Sequence, residues 1–147
     1  MSRSVDTSEL AAQLDRYGSA AFLITGGPAG GPHAVSVRVA WDGTALATRA
    51  GRTSRANLAD RPEVTLLWPA PEGAGSEGAG SEGAGAGGRS EDEGYSLIVD
   101  GHAQMVPGTE DQLRILPTAA VLHRSPARQA EDPPGSECVA VLRPSTD

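Results

Sequence analysis

From residue 32 the chain alternates. In PHAVSVRVAWDG, His33, Val35, Val37, Val39 and Trp41 fall on one side, with Ser36 and Arg38 on the other. A period of two marks a strand with one face on a core and the other in water. The pattern constrains the fold strongly because similar segments flank it. AAFLIT, residues 20–25, precedes it through GGPAGG, which reads as a hairpin turn. TALATRA follows the Asp42–Gly43 turn as a third strand. Strands that succeed one another through tight turns pair antiparallel.

The same signal continues downstream. EVTLLWP, YSLIVDGHAQM and QLRILPTAAVLHR read as further strands, and ECVAVL as a last short one. Pro117 lacks an N–H, so it forces a bulge or an edge position. Helical signal is confined to two places. DTSELAAQLDRYG sets Leu10, Leu14 and Tyr17 on one face, spaces Asp6 and Glu9 as a capping box, and can close at Gly18. SRANLAD makes a helix of about two turns, with Thr53 or Ser54 as cap and Pro62 as stop. The fold class is therefore mainly β with minor α: a small antiparallel barrel with an N-terminal helix and one short helix.

A length of 147 residues suits a single domain, 1–147. Between the fourth and fifth strands lies EGAGSEGAGSEGAGAGG, in which GAGSE repeats. Gly, Ala, Ser and Glu bury too little apolar surface to offset ordering entropy, so 72–94 reads as a flexible insertion. The alternative is a functional lid, but the segment offers no aromatic anchor. It also holds six acids against one Arg, a local charge of -5, so the rest of the chain carries only -2 of the total of -7. An acidic chain has no basic stripe for nucleic acid, yet a few cations can still set the sign of one pocket. No apolar run suits a membrane span or a signal segment. The one cysteine, Cys138, excludes a disulfide framework and reads as a small buried residue. These features point to a cytoplasmic protein. No metal-ligand spacing, P-loop or nucleophile elbow is present. His33 and His102 read as structural, while His123, beside Arg124, could reach an interfacial pocket.

All the cations are arginines, and Arg52, Arg55 and Arg61 crowd AGRTSRANLADRPEVTLLW. A helix start offers free N–H groups and partial positive charge, here with Thr53 and Ser54 hydroxyls and with Asn57 one turn on. Arginine's fork matches phosphate oxygens. Spacing alone leaves two readings open, an anion site or a solvated helix face.

In its order of elements, the chain resembles the FMN-binding split-barrel family that includes pyridoxamine 5'-phosphate oxidase, in its compact actinobacterial form. The resemblance runs over about 8–71 and 94–124, through TRAGRTSRANLADRPEVTLLWP and YSLIVDGHAQM. It implies a split barrel and a homodimer with FMN at the subunit interface. Arg52, Thr53, Ser54 and Arg55 become phosphate candidates, and Asn57 a donor or loop anchor. Arg38 and the strand 36–39 would meet the phosphate, ribityl chain or ring, Thr48 and Arg49 would border the flavin, and Trp68 would flank the ring from the partner subunit. Arg61 is left to the surface. The substrate positions that the vitamin B6 oxidases carry in a C-terminal extension are not matched, which argues against that activity. No strong acid or base stands beside the expected site, which fits hydride or electron transfer on an unidentified small molecule. F420 is the alternative cofactor. A flavin- or ligand-binding module without turnover, or a plain dimerising barrel, are the other readings.

Overall fold

The computed structural model describes residues 2–27, 31–71 and 94–124. The alternating segments become strands and a short β1 joins them: β1 (Ser2–Ser4), β2 (Ala20–Gly26), β3 (Pro32–Arg38), β4 (Ala40–Trp41), β5 (Leu46–Arg49), β6 (Glu63–Trp68), β7 (Ser96–Met105) and β8 (Gln112–His123). The two helices are α1 (Thr7–Tyr17) and α2 (Arg52–Asp60). All strand pairs are antiparallel, in the order β3-β2-β6-β7-β8-β5-β4, with β1 also on β8. Expectations for ECVAVL, for Cys138 and for the insertion from 72 to 93 lie outside the described residues.

The barrel is mainly β with minor α, and one strand explains how it curls. The alternating segment starting at residue 32 changes partner halfway. β3 runs against β2 from Gly26↔Pro32 to Ala20↔Arg38, whereas β4 pairs with β5 at Ala40↔Ala47 and Trp41↔Leu46. Val39 is the joint, its N–H given to Ser19 O at 2.8 Å. The expected continuous strand is thus two. Past the joint β3 and β5 are not paired strands, so the barrel is split there.

Inward positions supply the core. Leu23, Leu46, Leu66, Leu97, Val99, Leu113, Ile115 and Leu122 are fully buried, and Leu10 and Leu14 pack onto them from α1. At the start of α1 the Asp6 N–H donates to Glu9 Oε2 at 3.1 Å, and at its end Gly18 takes φ 78°. Tyr17 packs against the same core and gives its hydroxyl to Tyr95 O. α2 begins earlier than its hydroxyls suggest. Gly51 is the N-cap, so Thr53 and Ser54 lie inside the first turn, and neither caps it. The helix ends at Asp60, before Pro62.

Pro117 sits in a central strand, not at an edge, and the bulge resolves its missing donor. The β7–β8 register slips from Asp100↔Ala119 to Gly101↔Pro117, leaving Thr118 as the extra residue. On its other side β8 pairs with β5 up to Leu46↔Ile115 and with β1 from Ser4↔Val121. Pro117 falls in the gap between them. Thr118 Oγ1 donates to Asp100 O at 3.2 Å across the bulge.

Candidate functional site

Residues beside the split form a groove of about 810 Å³. It is lined by β3 (Ser36, Val37, Arg38), the joint and β4 (Val39, Ala40), β5 (Ala47, Thr48, Arg49) and the start of β8 (Gln112, Leu113, Arg114). Ser19, Asp42 and Val106 complete the rim. The volume lies in the range that small-molecule pockets occupy. Its composition follows from the pleat. Leu46, Thr48, Leu113 and Ile115 point in, so Ala47, Arg49, Gln112 and Arg114 point out.

Three guanidiniums stand on this rim, each held differently. Arg49 lies 3.8 Å from Asp111, and Arg114 Nε lies 3.5 Å from Asp42 Oδ2. Arg38 faces a neutral partner: its NH1 donates to Ser19 Oγ at 3.3 Å. It has no carboxylate among the described residues. A guanidinium without a counter-ion on a low-polarity floor is the strongest anion anchor of the three. Asp42 Oδ1 accepts the N–H groups of Thr44 and Ala45, both at 2.8 Å. These two bonds hold the Asp42 carboxyl below the usual carboxylate range, with a smaller contribution from Arg114.

Of the residues named from sequence, Arg38, Thr48 and Arg49 come together in the groove. Thr48 is buried and gives its hydroxyl to Arg38 O at 2.7 Å, fastening β5 to β3 across the split. Arg52 and Thr53 stand exposed on the first turn of α2, outside the groove lining. The structure does not bring the others to it. Ser54 is 1% exposed, inside α2's packed face. Asn57 is 5% exposed and donates from Nδ2 to Thr25 Oγ1 at 3.0 Å, tying α2 to β2. Arg55 donates to Glu110 O and so holds the turn between β7 and β8. Trp68 is 1% exposed in the core of its own chain, its indole N–H bonded to Gly18 O at 3.0 Å. No face of that ring is left for a ligand.

Reading the sequence named Arg38 and its strand from 36 to 39, and missed Asp42, Gln112, Arg114 and Ser19. Gln112 and Arg114 do carry a signal, because they alternate with Leu113 and Ile115. Their meeting with Ala47 and Arg49 depends on the β5–β8 register, Ala47↔Arg114 and Arg49↔Gln112, which no local pattern announces. The histidines are elsewhere. His33 is half-buried opposite Thr25, His102 is exposed opposite Glu63, and His123 Nδ1 lies 2.9 Å from Ser2 Oγ. Among the described residues no group of His, Cys, Asp and Glu is arranged to hold a metal, and no helix is long and apolar enough to cross a membrane.

No protein-family model matches the chain. It is 36% identical over 140 residues to the uncharacterized protein Mb0449c of Mycobacterium bovis, spanning 85% of this chain and 84% of that one. Among solved structures, the FAD binding protein from Mycobacterium smegmatis matches at a TM-score of 0.51, with 15% identity, over 84% of this chain and all 100% of the other. A protein of the pyridoxinephosphate oxidase family from Clostridium acetobutylicum, related to general stress protein 26, matches at 0.52 with 11% identity, over 82% and 91% of the two chains. At such identities the likeness is one of fold.

Proposed function

The chain belongs to one family with the mycobacterial protein and has the split-barrel fold of the pyridoxamine 5'-phosphate oxidase kind, and on that premise we propose that its groove binds a flavin-type cofactor. FMN is the cofactor we assign, with F420 as the alternative. One observation carries the reading: the groove sets three arginines around a floor of small residues and leaves Arg38 without a carboxylate.

These residues fit the cofactor. A phosphate takes the Arg38 fork, steadied by Ser19. Arg49 adds a second cation shared with Asp111, and Arg52 and Thr53 add the positive end of α2 beyond the rim. Ala40, Ala47, Val37 and Val39 give a planar ring an apolar bed from which water is displaced. Bound flavin would supply hydride or electron transfer to a small-molecule substrate. Asp42 is the one carboxylate in the lining, and turn and Arg114 both engage it, so the groove holds no spare general base. That favours redox chemistry over hydrolysis.

The active form in this reading is a homodimer. Phe22, Leu67, Ile98 and Val121 lie in one cross-strand row on the outer face, with Phe22 40% exposed. A second copy covering that row would bring its own surface to the ring.

The test is a titration of the purified protein with FMN, FAD and F420, followed by absorbance and flavin fluorescence. A band that persists through gel filtration supports the reading. Arg38→Ala is expected to weaken FMN binding at least about tenfold, a loss of about 1.4 kcal/mol, with the melting temperature of the apo form unchanged. Failure to take up any of the three overturns it. Reduction of the bound cofactor by NADPH separates an enzyme from a binding module.

A further inference from the structure

We infer that the Asp42–Arg114 pair reads the edge of the bound heterocycle, recognising a carbonyl next to a ring N–H. The inference rests on the flavin reading and adds to it a residue pair that determines specificity.

The register sets the stage. Ala40, Ala47 and Arg114 occupy one row across β4, β5 and β8. With strands ~4.8 Å apart, that row spans ~10 Å. Two methyl groups make the strip flat, and a planar ring can lie against it. Arg49 lies two residues along β5 from Ala47, and Arg38 two residues before Ala40, so an anionic tail and the far edge of the ring meet different cations. The far edge meets Arg114 and Asp42.

That pair offers one donor set and one acceptor. Arg114 uses Nε toward Asp42, and its two terminal nitrogens have no other partner among the described residues. They can donate to a ring carbonyl. Asp42 divides its oxygens: Oδ1 is committed to the Thr44 and Ala45 N–H groups, which fixes the carboxylate's direction, while Oδ2 faces Arg114 at the groove. Oδ2 retains lone pairs for a ring N–H. The carboxylate stays ionised at neutral pH, as an acceptor must. A donor and an acceptor side by side match an O=C–N–H edge, and a heterocycle without the N–H leaves Oδ2 facing an unmatched group.

The experiment compares FMN with FMN methylated at the ring N–H of its O=C–N–H edge, on wild type and on Asp42→Asn. Asparagine keeps the carbonyl oxygen that accepts from Thr44 and Ala45, so the turn survives, but it can present an amide donor where Oδ2 stood. Wild type is expected to bind FMN at least tenfold more tightly than the methylated form, and Asp42→Asn to bind FMN more weakly and to lose the preference. If wild type binds the two alike, or Asp42→Asn discriminates as wild type does, the edge-reading assignment is overturned while flavin binding stands. If wild type binds neither, the edge-reading assignment is overturned for FMN, and the titration with FAD and F420 decides the flavin reading separately. The comparison on wild type alone decides the matter should Asp42→Asn fail to fold.

Discussion

Gly101→Ala should destabilise this protein by about 2 kcal/mol, and the number can be worked from its surroundings. Gly101 lies at the β7–β8 bulge, buried between central strands. A methyl built there would sit 2.6 Å from Ile115 Cγ2 and 2.8 Å from Leu116 O. Ile115 is fully buried and Leu116 O is backbone, so neither retreats cheaply. Overpacking of this kind costs ~1–3 kcal/mol, and two contacts below 3.0 Å, one on main chain, place it at the upper end. Removing a glycine from a strand returns roughly 0.5–1 kcal/mol through the unfolded chain, which leaves a net loss of about 2 kcal/mol. For a domain of this size that is roughly a 6 °C fall in melting temperature. Urea unfolding followed by tryptophan fluorescence reads the same difference, with Gly31→Ala as control, since nothing lies within 4 Å of that position. A Gly101→Ala protein as stable as wild type would show that the bulge slides freely and that Thr118 does not lock it.

Other expectations follow from single contacts. Asn57→Ala removes a buried donor from Thr25 and should cost ~1–3 kcal/mol, whereas pairing Asn57→Leu with Thr25→Val should recover much of it in a denaturant double-mutant cycle. Arg55→Ala frees the carbonyl of Glu110 and should lower stability by ~1 kcal/mol, with faster amide exchange in the turn around residues 106–111. Unchanged exchange there would remove Arg55 from the turn. The depressed Asp42 pKa makes a contribution that is full above the ordinary carboxylate range and is lost as pH falls through the lowered folded value. The gap in urea midpoint between wild type and Asp42→Ala should therefore be widest near neutrality and close in acid. A gap independent of pH would mean that the carboxylate's charge plays no part.

Local chemistry made much of this fold legible. The α1 cap, the hairpins, the stop before Pro62 and the bulge beside Pro117 each follow from residues within a few positions of one another. What escaped the reading depends on distance. β1 is Ser-Arg-Ser, three exposed residues without alternation, and exists because β8 offers an edge. The break at Val39 comes from a change of partner, which a uniform run of valines conceals. Gly51 caps α2 although hydroxyls stand next in line, because Ser54 is drawn into the core. Trp68 looked like a ligand platform, yet its alternation with Leu66 and Val64 places it on the buried face. Half of the groove was visible in Arg38, Thr48 and Arg49. The other half arrives from β8, more than sixty residues later in the chain.

That dependence on β8 has a consequence for how the molecule is made. β5, β7 and β1 all pair with β8, and Ser2 waits for His123, 121 residues further on. A ribosome adding roughly 5–20 residues per second would leave β1 and the outer edge of β5 without partners for several seconds. Both segments are short, and β1 is polar throughout, which limits what an exposed edge can recruit during that interval. The β2–β3 and β4–β5 hairpins, by contrast, have both their strands as soon as they emerge. The nascent chain therefore has the partners for two hairpins early, each marginal by itself, and completes the barrel, and with it the groove, only with its last described strand.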